Sequence, residues 1–416
     1  MVVMPKQNVP ALRLEGFSGE WEETTLGELG STYGGLSGKK KEDFGHGDAM
    51  YVTYKDIFSR ALITDTSQCE RVEVDASQNE VRYGDIFFTT SSEIPEEVGL
   101  SAVWLIDKPN VYLNSFCFGF RPTGGFDLHF LGHVLRSPAV RSQFLLLAQG
   151  ISRFNISKTK AANISLYAPP TLEEQQAIGA VFTNLDAAIN QHTLKHKSLQ
   201  QSKTALMQRM FPQEGQTVPE LRLEGFSGEW EEKRLVDEVS FFSGLTYTPS
   251  DVVEHDGTLV LRSSNVQDGV IATKDCVYVR TDAVNVQNVR KNDIIMVVRN
   301  GSRSLIGKHA VVQKPMPSTV IGAFMTGIRS DQPWFINALF DTGLFKYEVD
   351  KSMGATINQI TGGMFAGMSF FFPPTLEEQQ AIGAIFTKLD ALIAAEAQYI
   401  KSLSQAKTAL LQRMFI

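Results

Sequence analysis

The sequence predicts a mixed α/β (α+β) fold written twice: two domains of one fold, each followed by a long helix, with the two helices forming a coiled coil. Three observations predict it. PALRLEGFSGEWEE at residues 10–23 returns as PELRLEGFSGEWEE at residues 219–232. The stretch that opens PPTLEEQQAIGA and closes LMQRMF, residues 169–211, returns nearly intact at residues 373–415. Between arm and helix, each half carries short runs rich in β-branched and aromatic residues, broken by Gly, Asp, Asn and Pro, and then a helix-like stretch.

Taken in order, residues 1–168 form an N-terminal arm and first domain and residues 169–212 the central helix. Residues 213–372 form a second arm and second domain, and residues 373–416 the C-terminal helix. FPQEGQTVPE, at 211–220, has the composition of a connection. In the first domain AMYVTYKDIF, RYGDIFFTTSS, GLSAVWLID and VYLNSFCFGF read as strands. DLHFLGHVLRSPAVRSQFLLLAQG then reads as helix interrupted at Pro138, before a loop and a closing strand. In the second domain GTLVLRSSNVQDGVIA, DCVYV, NDIIMVVRNGSRSLIGKHAVVQ and TVIGAFMTGIRS read as strands and PWFINALFDTGLFKYEVDKSM as helix. Arms and helices are nearly constant while the regions between them hardly resemble each other. That contrast points to helices that bind a common scaffold or each other, and to domains that bind two different things.

The long helices carry a heptad. In the first copy Ile178, Phe182, Leu185, Ile189, His192, His196, Leu199, Lys203, Leu206 and Met210 step by fours and threes. In the second Ile382, Phe386, Leu389, Ile393, Glu396, Ile400, Leu403, Lys407, Leu410 and Met414 keep the phase. Pro169 and Pro170 block helix upstream, and Thr171 with Glu174 predicts a capping box that Thr375 and Glu378 repeat. Such a helix is about 60 Å long, a spacer rather than a core element. His192 and His196, four apart on the seam, read as register-setting polar residues rather than metal ligands.

Composition narrows the class. The 416 residues are 43% hydrophobic and 20% charged, and no run reaches the length of a membrane span. The opening residues lack the apolar core of a signal peptide, so the chain is expected in the cytoplasm. Cys69, Cys117 and Cys276 have no ligand-like spacing and read as small buried hydrophobes, with no metal site. A net charge of -7 argues against a uniformly basic nucleic-acid binder. Yet residues 128–172 contain no Asp or Glu beside Arg136, Arg141, Arg153, Lys158 and Lys160. Residues 294–330 likewise hold Arg299, Arg303, Lys308, Lys314 and Arg329 without acid.

No catalytic signature survives inspection. GSRSLIGKH has five residues between Gly301 and Gly307 where a phosphate loop needs four, and His309 stands where Ser or Thr is required. The chain is therefore expected to bind and position rather than react. Candidate contacts are Arg299, Asn300, Ser302 and Arg303 with Arg262, Ser263, Ser264 and Asn265 in the second domain. In the first they are Thr89, Thr90, Ser91, Ser92, Arg153, Asn155, Lys158 and Lys160. Arg and Asn suit bidentate pairing with guanine and adenine edges.

The pattern resembles the specificity subunit of type I restriction-modification systems across the whole chain. The residues that carry it are PELRLEGFSGEWEEKRL, PPTLEEQQAIGA with the following LD..I, the endings LMQRMF and LLQRMF, and GDIFFTTSS and NDIIMVVRNGS. The resemblance implies two target recognition domains, each reading one half of an interrupted asymmetric DNA sequence, separated by an antiparallel helix pair with a pseudo-twofold internal repeat. It implies two modification subunits docked on the helices, which bring S-adenosylmethionine and methylate adenine, and two restriction subunits in the full complex. Antiparallel pairing would bring the end of the second helix to the first arm. A rival reading is a protein-interaction scaffold whose two domains grip other proteins.

Overall fold

The computed structural model describes residues 8–75, 77–353 and 358–416. It divides into two compact units, one of residues 1–193 with 398–416 and one of residues 194–397, so the division runs through both long helices.

In the first unit the arm strand Glu22–Thr25 pairs antiparallel with Ser165–Ala168, the last strand before the central helix. The main sheet runs in the order Gly30–Gly34, Cys117–Pro122, Ile86–Thr89, Ser101–Trp104, Leu62–Ile63. Its centre is buried on both faces, which is why IFFT reads as a continuous apolar run. Side chains alternate across it: Ile86, Phe88, Val103 and Phe118 pack with Phe130 and Phe144, whereas Phe87, Ala102 and Trp104 pack with Val52 and Leu113 on the other face. A three-stranded sheet of Glu70–Val72, Phe44–Val52 and Val111–Leu113 adjoins it.

The second unit repeats the plan. Glu231–Arg234 pairs with Ser369–Phe372, and a four-stranded sheet runs Ser240–Ser243, Met325–Arg329, Ile294–Val297, His309–Val311. Ile294 and Met296 feed one cluster and Ile295 and Val297 another. Both units are mixed α/β, as the sequence predicts.

Each long helix has 39 residues, Leu172–Met210 and Leu376–Met414. Within the first unit they run antiparallel: Asp186 pairs with Lys407, the His192 ring meets the Tyr399 ring edge-on at 4.5 Å, and Phe182 stacks on Phe415 at 5.4 Å. The arm meets the helix end there, with Leu12 N donating to Arg413 O at 2.8 Å. Within the second unit Lys195 pairs with Glu396, Lys203 with Asp390, and Phe211 lies 6.1 Å from Phe386, while Leu221 N donates to Arg209 O. Ile178, Phe182, Met210, Ile382, Phe386 and Met414 are buried. Leu185, Ile189, Leu199, Leu206, Leu389, Ile393, Ile400, Leu403 and Leu410 are half-buried, as a two-helix seam requires.

Two local expectations are corrected. AMYVTYKDIF is not all strand: Thr53 caps a helix, Tyr54–Ser59, by accepting from Asp56 N at 3.1 Å. The capping boxes are only half formed. Thr171 and Thr375 accept from Glu174 N and Glu378 N, but the two carboxylates turn to Arg13 and Arg222 of the arms. Among the described residues no helix is long and apolar enough to cross a membrane.

Candidate nucleic-acid interface

In each unit three segments meet at one end of the main sheet. In the first, Thr90 N donates to Phe116 O at 3.0 Å, Ile156 N donates to Thr90 O at 3.1 Å, and Ser91–Ser92 pairs antiparallel with Phe154–Asn155. Gln149 and Asn155 exchange backbone bonds of 3.0 and 2.9 Å, closing a loop that projects Arg153. In the second, Val298 N donates to Phe324 O at 3.0 Å and Ile360 N to Val298 O at 2.8 Å, with Arg299 bridged to Gln359. Asn300 Nδ2 donates to Ser263 Oγ at 3.3 Å, which brings the turn Ser263–Asn265 to the same place.

The sequence-derived candidates separate into displayed and structural groups. Arg153, Asn155, Lys158, Arg299, Ser264, Ser302 and Arg303 are exposed, and Thr90, Ser91, Lys160, Arg262, Ser263 and Asn300 are half-buried. Three candidates, Thr89, Ser92 and Asn265, are buried and committed to their own turns rather than displayed. Thr89 donates to Glu97 O at 2.7 Å, and Ser92 donates to Glu97 Oε2 at 2.6 Å. Asn265 accepts from Arg262 N at 2.9 Å and donates to Ala272 O at 3.0 Å. Arg303 donates to Asp350 O at 3.0 Å and pairs with the Asp350 carboxylate, so it clamps the helix Gly343–Ser352.

The basic windows shrink in the same way. Arg136 donates into the carbonyls of Ser101, Ile57 and Arg60, and Arg141 into those of Glu96 and Val98. Burial pushes both pKa values down to about 10. Arg329 is held by Asp293 and Gln287. What remains for a partner is a narrow set of cations and amides at the loop end.

Sequence reasoning missed the two rings beside that set. Phe116 and Phe324 are 55% and 53% exposed, with Arg153 and Arg299 over them at 5.8 and 5.1 Å. The signal was a shared Phe-x-x-Gly, residues 116–119 and 324–327. The glycines are needed because a Cβ at Gly119 would strike the Tyr33 ring and one at Gly327 the Phe242 ring.

The family model for the type I restriction modification DNA specificity domain matches residues 18–199 and again residues 228–405. The chain belongs to this family. Over 159 residues it is 29% identical to the type I restriction enzyme EcoKI specificity subunit of Escherichia coli (strain K12) and, to the same degree, to the StySPI specificity subunit of Salmonella potsdam. Those matches take in 36% of this chain and 33% of each relative, about a third of the relatives' length. The fold matches the S subunit of the type-I restriction-modification system of M. genitalium with a TM-score of 0.65 at 15% identity, covering 98% of this chain and 99% of that one. It also matches a chain from a structural study of complex assembly and conformational transition in the type I R-M system, with a TM-score of 0.52 at 18% identity over 95% and 97% of the two chains. Both specificity domains of this family member thus present the same backbone junction with different side chains on it.

Proposed function

We propose that this chain is the DNA-recognition subunit of a type I restriction-modification complex and takes no part in catalysis itself. Each domain reads one half of an interrupted, asymmetric double-stranded target, and the paired helices set the unread spacer and dock two modification (methyltransferase) subunits. S-adenosylmethionine belongs to those partners, and two restriction (translocase/endonuclease) subunits complete the assembly. The observation that carries this reading is the repeated three-segment junction, with Thr90, Ser91, Arg153 and Asn155 in one domain and Arg299, Asn300 and Gln359 in the other. Arg forks onto guanine O6 and N7, and Asn or Gln onto adenine N6 and N7. A constant scaffold bearing different readers suits two different half-sites. The net charge of -7 is compatible with it where partner subunits supply much of the phosphate neutralisation.

The test is a nuclease footprint of the chain assembled with its modification subunits. Two protected patches flanking an accessible gap, weakening steeply with salt, are expected. Absent or salt-insensitive DNA binding in that assembly would favour the protein scaffold instead.

A further inference from the structure

We propose that Phe116 and Phe324 are positioning residues for base readout: each exposed ring carries the arginine that reads a guanine in its domain's half-site. The inference rests on the DNA-recognition reading above and adds to it the residues that aim the readers.

The two rings occupy one structural position. Each sits three residues before the glycine that lies against an aromatic ring of the neighbouring strand, Gly119 on Tyr33 and Gly327 on Phe242. Each offers its carbonyl to the segment leaving the central strand, Phe116 to Thr90 N and Phe324 to Val298 N, both at 3.0 Å. Neither ring belongs to a hydrophobic cluster among the described residues, and both are more than half exposed. Packing therefore does not account for a phenylalanine at either place.

The arginines come from different segments. Arg299 follows the strand Ile294–Val297 and is bridged to Gln359, whereas its counterpart in the first domain is Ser91, paired with Asn155. There the guanidinium arrives from the loop 149–155, as Arg153. The shared ring with a rebuilt cation is not the relic of one duplicated contact. It is the same device assembled twice on surfaces that otherwise differ.

The physical effect is preorganisation. A long exposed arginine samples many rotamers, and binding must freeze them. A ring beneath the cation narrows that set and leaves the in-plane N–H donors for a guanine edge. Leucine at the same position keeps apolar bulk but loses the π face, while tyrosine keeps it.

The experiment maps methylated motifs made by the full chain with its modification subunits, for wild type, Phe324→Leu, Phe324→Tyr, Arg299→Ala and the Phe324→Leu/Arg299→Ala double variant. Phe324→Leu is expected to relax discrimination by about tenfold at one position of the second half-site, the same position that Arg299→Ala relaxes. The double variant should add nothing to Arg299→Ala, and Phe324→Tyr should retain the motif. Phe116→Leu and Arg153→Ala should behave alike in the first half-site. An unchanged motif in Phe324→Leu, relaxation at a different position, or equal weakening on every sequence would overturn the positioning role while the recognition reading stands. A wild-type assembly whose methylation shows no motif dependent on this chain would remove that reading and the inference with it.

Discussion

Arg13 grips Glu174 with two hydrogen bonds, Nε to Oε1 at 2.8 Å and Nη2 to Oε2 at 2.7 Å, across 161 residues of chain. The same guanidinium donates to the carbonyls of Ser18 and Gly19. Arg222 repeats every contact with Glu378, Ser227 and Gly228. The carboxylates are 2% and 1% exposed, so each arm is tied to the first turn of a long helix by a buried, forked ion pair.

Removing the cation should therefore cost far more than a surface pair. Arg13→Ala leaves Glu174 buried and unpaired and is expected to destabilise the first unit by about 3–5 kcal/mol, and Arg222→Ala the second by as much. Lysine at either position should recover only part, because it cannot fork. Urea unfolding with hydrogen exchange resolved by unit checks this, and a loss under 1 kcal/mol would contradict it.

Lys203 lies between Asp390 at 2.6 Å and Asp341 at 2.8 Å. Burial opposes its charge, but the two carboxylates outweigh it and raise the pKa. Its counterpart in the helix repeat, Lys407, is paired with Asp186. Lys203→Met is expected to cost about 1–3 kcal/mol by leaving two carboxylates facing each other, and Lys407→Met less. Thermal midpoints of the two variants decide the order.

The first unit should be acid-sensitive through His133. Its ring is 1% exposed, lies against Phe182, and has Nε2 buried without a hydrogen-bond partner among the described residues. Burial first, then the charges of Lys407, Arg136 and His129, push its pKa down to about 3. The Asp186 carboxylate, 4.0 Å away, is paired with Lys407. The folded chain keeps the ring neutral while the unfolded chain protonates near pH 6.5, so the stability is complete above that pH. It falls as pH drops from about 6.5 toward 3, at up to about 1.4 kcal/mol per pH unit. His133→Gln should flatten that slope in urea midpoints between pH 7 and 4, and equal slopes would refute the assignment.

Arg299 and Arg303 should part company. Arg299→Ala is expected to relax one base position of one half-site by roughly 10- to 100-fold. Arg303→Ala should mainly loosen the end of the helix Gly343–Ser352, through its lost bond to Asp350, and leave the motif intact. Sequencing of methylated DNA separates the two outcomes.

These contacts mark what the sequence could and could not disclose. The arms, the helix spans and the alternating strands were legible because repeats, proline stops and apolar period are local signals. The turn of Glu174 toward Arg13 was not, since the competing partner lies 161 residues away. Thr89, Ser92 and Asn265 look like displayed polar residues because a hydroxyl or amide at a strand end reads the same whether it faces solvent or closes a turn. Phe116 and Phe324 were hidden for a different reason: each lies inside a strand-like run, VYLNSFCFGF or TVIGAFMTGIRS, where an apolar residue carries no local sign of exposure, and only the backbone shows that each stands just outside its strand, Cys117–Pro122 or Met325–Arg329.

The central claim, that two units of one fold read two unrelated half-sites, is tested most directly by sequencing adenine-methylated DNA produced by this chain with its modification subunits. A single interrupted motif is expected, asymmetric, with two specified halves separated by a fixed unread gap. A continuous motif, or methylation whose sequence does not change when this chain is exchanged for another specificity subunit, would contradict it.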